Sequence, residues 1–281
     1  MRPPVPPDRW RRWWLASLVL VAVVASGFLA GRGLSSNAAT IPSAAVTSAT
    51  PSTTPSVTPS ASPSAVAPAP ESKPSLAVDQ LSLPGAVPSH GSGTFAYAAT
   101  RGQVLGTKGK LHRFHVAVEK GSNEDVNAFA TAVVTTLGDP RSWTGGGNVR
   151  LQLVPAAEKA DFTVYLATRV TAGKMCQRGG VNIRINGVPY TSCRATGKVI
   201  INLDRWRLSA KPYRYAKVPL ATYRQYVVNH EVGHELGHRH EGCPKAGGPA
   251  PVMVQQTLTT RGCVPYAWPR KGNSFLVGPP R

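Results

Sequence analysis

Apolar and polar positions along the second half of the chain repeat with two periods. From Lys110 to Glu119, Leu111, Arg113 and His115 alternate with His112, Phe114, Val116 and Val118, the period-two pattern of a strand. Ser122-Asn123-Glu124-Asp125 has the form of a capping box with aspartate in the glutamate place. Val126, Phe129, Ala130, Val133, Val134 and Leu137 then recur at helical spacing, and Gly138 is expected to stop that helix. Val149 to Val154, Phe162 to Ala167 and Val199 to Leu203 read as strands, and Val181 to Ile185 as a partly exposed strand or hairpin arm. Pro219 to Gly237 reads as a second long helix, with proline suited to its first turn. There Val228, Val232 and Leu236 form a stripe that should pack on the sheet, while Val227, His230, Glu231 and His234 face a cleft. This order predicts an α+β fold, a mixed twisted sheet with two main helices packed on it.

The first third of the chain has neither period. Residues 1–14 are basic and proline-rich, and Arg9, Arg11 and Arg12 precede an uncharged apolar run from Leu15 to Ala30. Two readings stay open for residues 15–31. One is an uncleaved single-pass signal anchor with a cytoplasmic N-terminus, and the other a signal peptide cut near Ser36-Asn37-Ala38. Both export the remainder. Residues 32–89 are mostly Ser, Thr, Pro and Ala, too poor in apolar surface to offset the entropy of ordering, and are expected to form a disordered linker. Residues 90–281 then form one folded domain, expected to be monomeric.

Chemistry concentrates at residues 230–240, which read H-E-x-x-H-x-x-G-x-x-H. Histidines four apart share one helix face, so His230 and His234 can reach one metal ion. Gly237 tolerates the left-handed backbone that turns the chain out of the helix and brings His240 round as a third nitrogen ligand. Three protein ligands leave a position for water, the catalytic pattern for Zn²⁺, and three imidazoles suit zinc better than iron. Glu231 follows the first ligand directly and is placed to act as general base toward a zinc-activated water, then as acid toward the leaving amine. His238 lies beyond the helix-breaking glycine and reads as solvated, Glu235 as a surface carboxylate or a support for a ligand, and His112 and His115 as structural.

Residues 219–256 resemble the metzincin zinc metalloproteases, which carry this long motif followed by a tight turn with a methionine under the metal. Met253, thirteen residues after His240, fits that place. The spelling Glu241-Gly242-Cys243-Pro244 after the third histidine is similar to that of a group of exported actinobacterial proteins. The resemblance implies a single catalytic domain with a small C-terminal subdomain and a cleft lined by an edge strand that pairs with extended substrate. The strand from Lys198 to Leu203 is the candidate for that edge, with Asn202 or Asp204 on its rim. Where several metzincins place a tyrosine ligand two residues after the methionine, this chain has Gln255, so no tyrosine ligand is expected.

Four cysteines in an exported chain imply two disulfides. Local pairing, Cys176 with Cys193 and Cys243 with Cys263, is the choice among three connectivities. The chain carries 32 basic against 13 acidic residues, and residues 76–281 hold 26 against 11, so most of the excess charge belongs to the domain. Two functions fit. One is a membrane-tethered or secreted zinc endopeptidase acting on protein or peptide substrates. The other is a zinc-containing cell-envelope module that binds anionic wall polymers with little or no catalysis. Nucleic acid is not expected as a partner, since charge is the sole feature for it.

Overall fold

The structure is a computed structural model and describes residues 79–281. The expected basic tail, membrane segment and most of the linker lie outside the described residues. Among the described residues, no helix is long and apolar enough to cross a membrane. Gln80 to Ser89, assigned from sequence to the end of the linker, is strapped to the domain: Leu83 N–H donates to Arg207 O, and the Gln80 and Ser89 carbonyls accept from Leu220 and Val170.

In chain order the elements are β1 (Phe95–Tyr97), β2 (Lys110–Glu119), α1 (Val126–Gly138), a 3-10 turn (Trp143–Gly146), β3 (Val149–Leu153), β4 (Phe162–Ala167) and α2 (Arg169–Arg178). Then come β5 (Arg184–Ile185), β6 (Val188–Pro189), β7 (Cys193–Ala195), β8 (Lys198–Asn202), α3 (Leu203–Leu208), α4 (Lys211–Tyr215), α5 (Leu220–Glu235), β9 (Arg270–Lys271) and β10 (Ser274–Phe275). The α+β class is therefore present, with a mixed sheet ordered β1-β2-β4-β8-β7. Strands β2, β4 and β8 run parallel, and β1 and β7 antiparallel to their neighbours. β3 pairs with the first half of β2 and β1 with its last three residues, so the two lie end to end on one edge of β2.

Alternation along the strands sorts residues to two faces. Phe114, Val116, Val118, Val164, Leu166, Val199 and Ile201 point to one face and form the main core with α1 and α5. Ala167, Ile200, Cys193 and Ala195 point to the other, under α2 and its residues Ala172 and Cys176. A third small core, Ala250, Val254 and Cys263, sits in the segment after α5.

Several sequence expectations are corrected. The cap of α1 is Asp125, whose carboxylate accepts from Ala128 N–H at 2.7 Å, not Ser122. Gly138 belongs to that helix, which ends at Asp139 because Pro140 forces the preceding residue into an extended backbone. Pro219 caps α5 and is not inside it. The expected strand from Val181 shrinks to Arg184–Ile185, joined to β6 through Asn186 and Gly187, both at positive φ as a type I′ hairpin requires. Three helices reach ten residues where two were expected. The addition, α2, has a weak apolar period and an internal glycine. That glycine has a packing reason: a Cβ on Gly173 would lie 2.6 Å from Pro189 Cγ.

Both disulfides pair as expected, Cys176–Cys193 tying α2 to β7 and Cys243–Cys263 closing the loop around residues 250–254. Replacing Cys243 and Cys263 together by serine is expected to lower stability by about 3 kcal/mol, read as a shift of the urea unfolding midpoint.

Candidate metal centre

Helix α5 is buried almost all round. Val227, placed on the cleft side by the sequence pattern, is 1% exposed and belongs to the main core with Val228 and Val232. A helix buried over most of its length is held rigidly, which suits one that positions ligands. Its neighbours add polar anchors. The Asn229 side-chain oxygen accepts from Ser142 Oγ at 2.7 Å, its amide donates to Ala267 O, and its backbone carbonyl accepts from the Trp143 indole.

The helix ends as the motif requires. Gly237 has φ +97°, Gly237 N–H donates to His234 O, and His238 N–H donates to Gly233 O. These are the two bonds of a Schellman motif with glycine in the left-handed position. The reversed chain is then clamped from two sides. Glu241 N–H donates to Met253 O, Gly242 N–H to Pro279 O, and Arg281 N–H to His240 O.

His230, His234 and His240 converge, with one nitrogen from each within 4.8 Å of the others. Backbone carbonyls orient two of the rings: His230 Nδ1 lies 2.7 Å from Val252 O and His234 Nδ1 2.8 Å from His238 O. Both Nδ1 atoms thus act as donors, which leaves the Nε2 lone pairs free for a metal. His234 Nε2 and His240 Nε2 are 3.0 Å apart. Two nitrogens on one tetrahedral zinc stand about 3.3 Å apart, so the His234–His240 pair is close to the spacing such an ion requires.

Glu231 lines the same cavity of about 570 Å³, also walled by β7 and by residues 237–240. It is 5% exposed, and burial pushes its carboxyl up to about 8. Burial and the neighbouring His234 hold His230 well below its ordinary value, and burial, His234 and Arg281 lower His240 to about 4. These shifts oppose each other in the metal-free protein. A folded carboxyl raised from 4.5 to about 8 contributes stability below 4.5 that is lost as pH rises toward 8. Lowered histidines contribute stability that is lost as pH falls from 6.5 toward 4. Glu231→Gln is therefore expected to melt with wild type near pH 4.5 in chelator, and to exceed it by a few kcal/mol near pH 8. Thermal unfolding across that range checks the sign.

Met253 is buried at 1%, in a turn closed by Val254 N–H donating to Pro251 O. It lies under α5 at Gly233, where a Cβ would sit 2.6 Å from Met253 Sδ and 2.6 Å from Trp143 Cζ2. The helix can approach the methionine and the indole only because residue 233 is glycine. His238 is exposed, as expected, yet its ring stacks on Trp143 at 4.2 Å. Glu235 pairs with Arg194 of β7, which joins the metal-bearing helix to the cavity wall. His115 bonds to Glu158 O and stands outside the cluster, as does His112.

The predicted cleft edge is corrected. β8 is an inner strand, and the shorter β7 is the edge. Asn202 is fully buried, capping α3 through a 3.0 Å bond from Asp204 N–H, and Asp204 pairs with Arg169, so neither lies on a cleft rim. Sequence reasoning missed Tyr226, which lines the cavity with its hydroxyl held between Gln256 N–H and Val254 O. It also missed Arg194, a lone arginine in a short run with no pattern to mark it.

Fold and site together define an α+β domain whose three-histidine cluster can hold a metal ion beside a buried carboxylate. Residues 82–266 match the family model described as a protein of unknown function, DUF3152, and the chain belongs to that family. No curated protein and no solved structure is matched.

Proposed function

We propose that this protein is an extracytoplasmic zinc-dependent endopeptidase of metzincin type, with His230, His234 and His240 as the zinc ligands and Glu231 as the general base. The observation that supports it most is Glu231 itself. In the metal-free protein, a carboxylate buried beside three converging imidazoles, its pKa raised by burial, is a cost to the fold. A purely binding domain has no use for that cost; a base that must accept a proton near neutral pH does.

Bound zinc would act as a Lewis acid toward the scissile carbonyl and make water a stronger nucleophile. The protein's own groups do the rest. Glu231 takes the proton of the attacking water and returns it to the departing amine. Val252 O and His238 O fix the tautomers of two ligands, so neither has to reorient. β7, the free edge beside the cavity, offers unpaired backbone groups to an extended peptide, which would join the sheet as a further strand. With Gln255 where several metzincins carry a tyrosine, the oxyanion would find its donors among the cavity's other polar groups. Two disulfides favour an oxidising compartment, in keeping with export by the N-terminal segment.

The test is hydrolysis of casein and of a diverse peptide library by the full-length protein. Cleavage that a chelator abolishes and added zinc restores is expected. Zinc-loaded protein that cleaves nothing in the library would overturn the proposal.

A further inference from the structure

The sheet has an incompletely covered face. Strands β2, β4 and β8 run parallel, and parallel strands are ordinarily covered on both sides. Here one face lies under α1 and α5, but α2 covers only part of the other. The register across β1, β2 and β4 places Tyr97 beside Ala117 and Ala117 beside Tyr165. The small alanine lets the two tyrosines meet over it, with their hydroxyls 3.4 Å apart. Phe95, two residues from Tyr97 on the same face, packs edge-on to Tyr165 at 4.9 Å. These three rings floor a groove of about 410 Å³ between α2 and β1.

The rim of this groove is cationic. Lys174 and Arg178 rise from α2 and Lys198 from β8, all three exposed. No aspartate or glutamate lines it, and none of the three cations is in an ion pair among the described residues. The carboxylate beneath, Glu119, is 1% exposed, accepts from Gly93 N–H, Thr168 N–H and the Thr171 hydroxyl, and forms no ion pair with a rim cation among the described residues.

We propose that this groove is a binding site for an acidic glycan, a sugar chain carrying carboxylate or phosphate groups, separate from the metal centre. Ring faces on the floor match the apolar faces of sugar rings, and the unpaired cations match the charges of the chain. A concave aromatic floor suits a chain lying in it better than a flat lipid surface. The site does not depend on the peptidase reading; it gives the domain's excess positive charge a specific place to act.

Polygalacturonate is the probe, titrated into the full-length protein, with neutral dextran, polyglutamate and phosphatidylglycerol vesicles as comparisons. Polygalacturonate is expected to bind and neutral dextran not to. Charge reversal at Lys174 and Lys198 is expected to weaken binding about tenfold. Tyr97→Ala, at an exposed ring, is expected to weaken polygalacturonate about fivefold while leaving polyglutamate unchanged. Near-ultraviolet circular dichroism identifies any variant that has lost its fold, and Lys198→Gln then replaces it. Unaltered binding by the charge-reversed variant would overturn the proposal. So would binding confined to vesicles, or equal affinity for polyglutamate with no effect of Tyr97→Ala, which would mark sequence-blind attraction to a basic chain.

Discussion

Glu231→Gln is expected to lower peptide-bond hydrolysis at least about a thousandfold while leaving one metal ion per chain. Glutamine keeps the shape of the side chain and removes the basic oxygen. The ligands do not depend on Glu231 for their orientation, since His230 and His234 are held by the carbonyls of Val252 and His238. Metal content and activity should therefore separate. In the metal-free state the same substitution stabilises the fold at high pH, because it removes a buried acid whose ionisation the cavity resists. Loss of activity together with a gain in stability is the pattern of a group kept for chemistry at the expense of the fold. Metal analysis, turnover of a fluorogenic peptide and thermal unfolding on one preparation test all three parts.

Gly233→Ala is expected to destabilise the protein by about 2–3 kcal/mol and to weaken metal retention at least tenfold. The sign is not obvious in advance. In an open helix, alanine gains up to about 1 kcal/mol over glycine. At position 233 the new methyl would meet Met253 Sδ and Trp143 Cζ2, both at 2.6 Å, so overpacking outweighs propensity. The methionine can yield; the indole is held by its bond to Asn229 O and by the stacked His238. Relief by displacement of α5 would separate His230 and His234 from His240, whose carbonyl accepts from Arg281 N–H and whose neighbour Glu241 donates to Met253 O. Combining Gly233→Ala with Met253→Ala should be less than additive in urea unfolding, because the second change removes one of the two clashes. Full additivity would place the effect elsewhere.

What the sequence made legible follows from distance along the chain. The ligand spacing, the glycine turn after the helix and the two disulfides are local relations, fixed by 3.6 residues per turn and short loops. Gly237 at φ +97° and the Cys176–Cys193 and Cys243–Cys263 pairs are what those relations predict. The supports of the site are not local. Ser142 and Trp143 reach Asn229 from 86 or more residues away. The oriented rings depend on backbone carbonyls, which every residue has and no sequence pattern distinguishes. β7 escaped notice because three residues carry no period, and the resemblance alone pointed to β8 as the edge. Gly173 and Gly233 show the same limit: each glycine reads as a weak helix position until the side chain opposite it is known.

X-ray absorption at the metal edge of the full-length, zinc-loaded protein tests the central claim most directly. One zinc per chain is expected, with three imidazole nitrogens at about 2.0–2.1 Å and one lighter ligand completing the shell. His240→Ala should reduce the imidazole count to two. A protein that takes up no zinc, or a His240→Ala spectrum identical to wild type, would contradict the three-histidine centre and with it the proposed hydrolase.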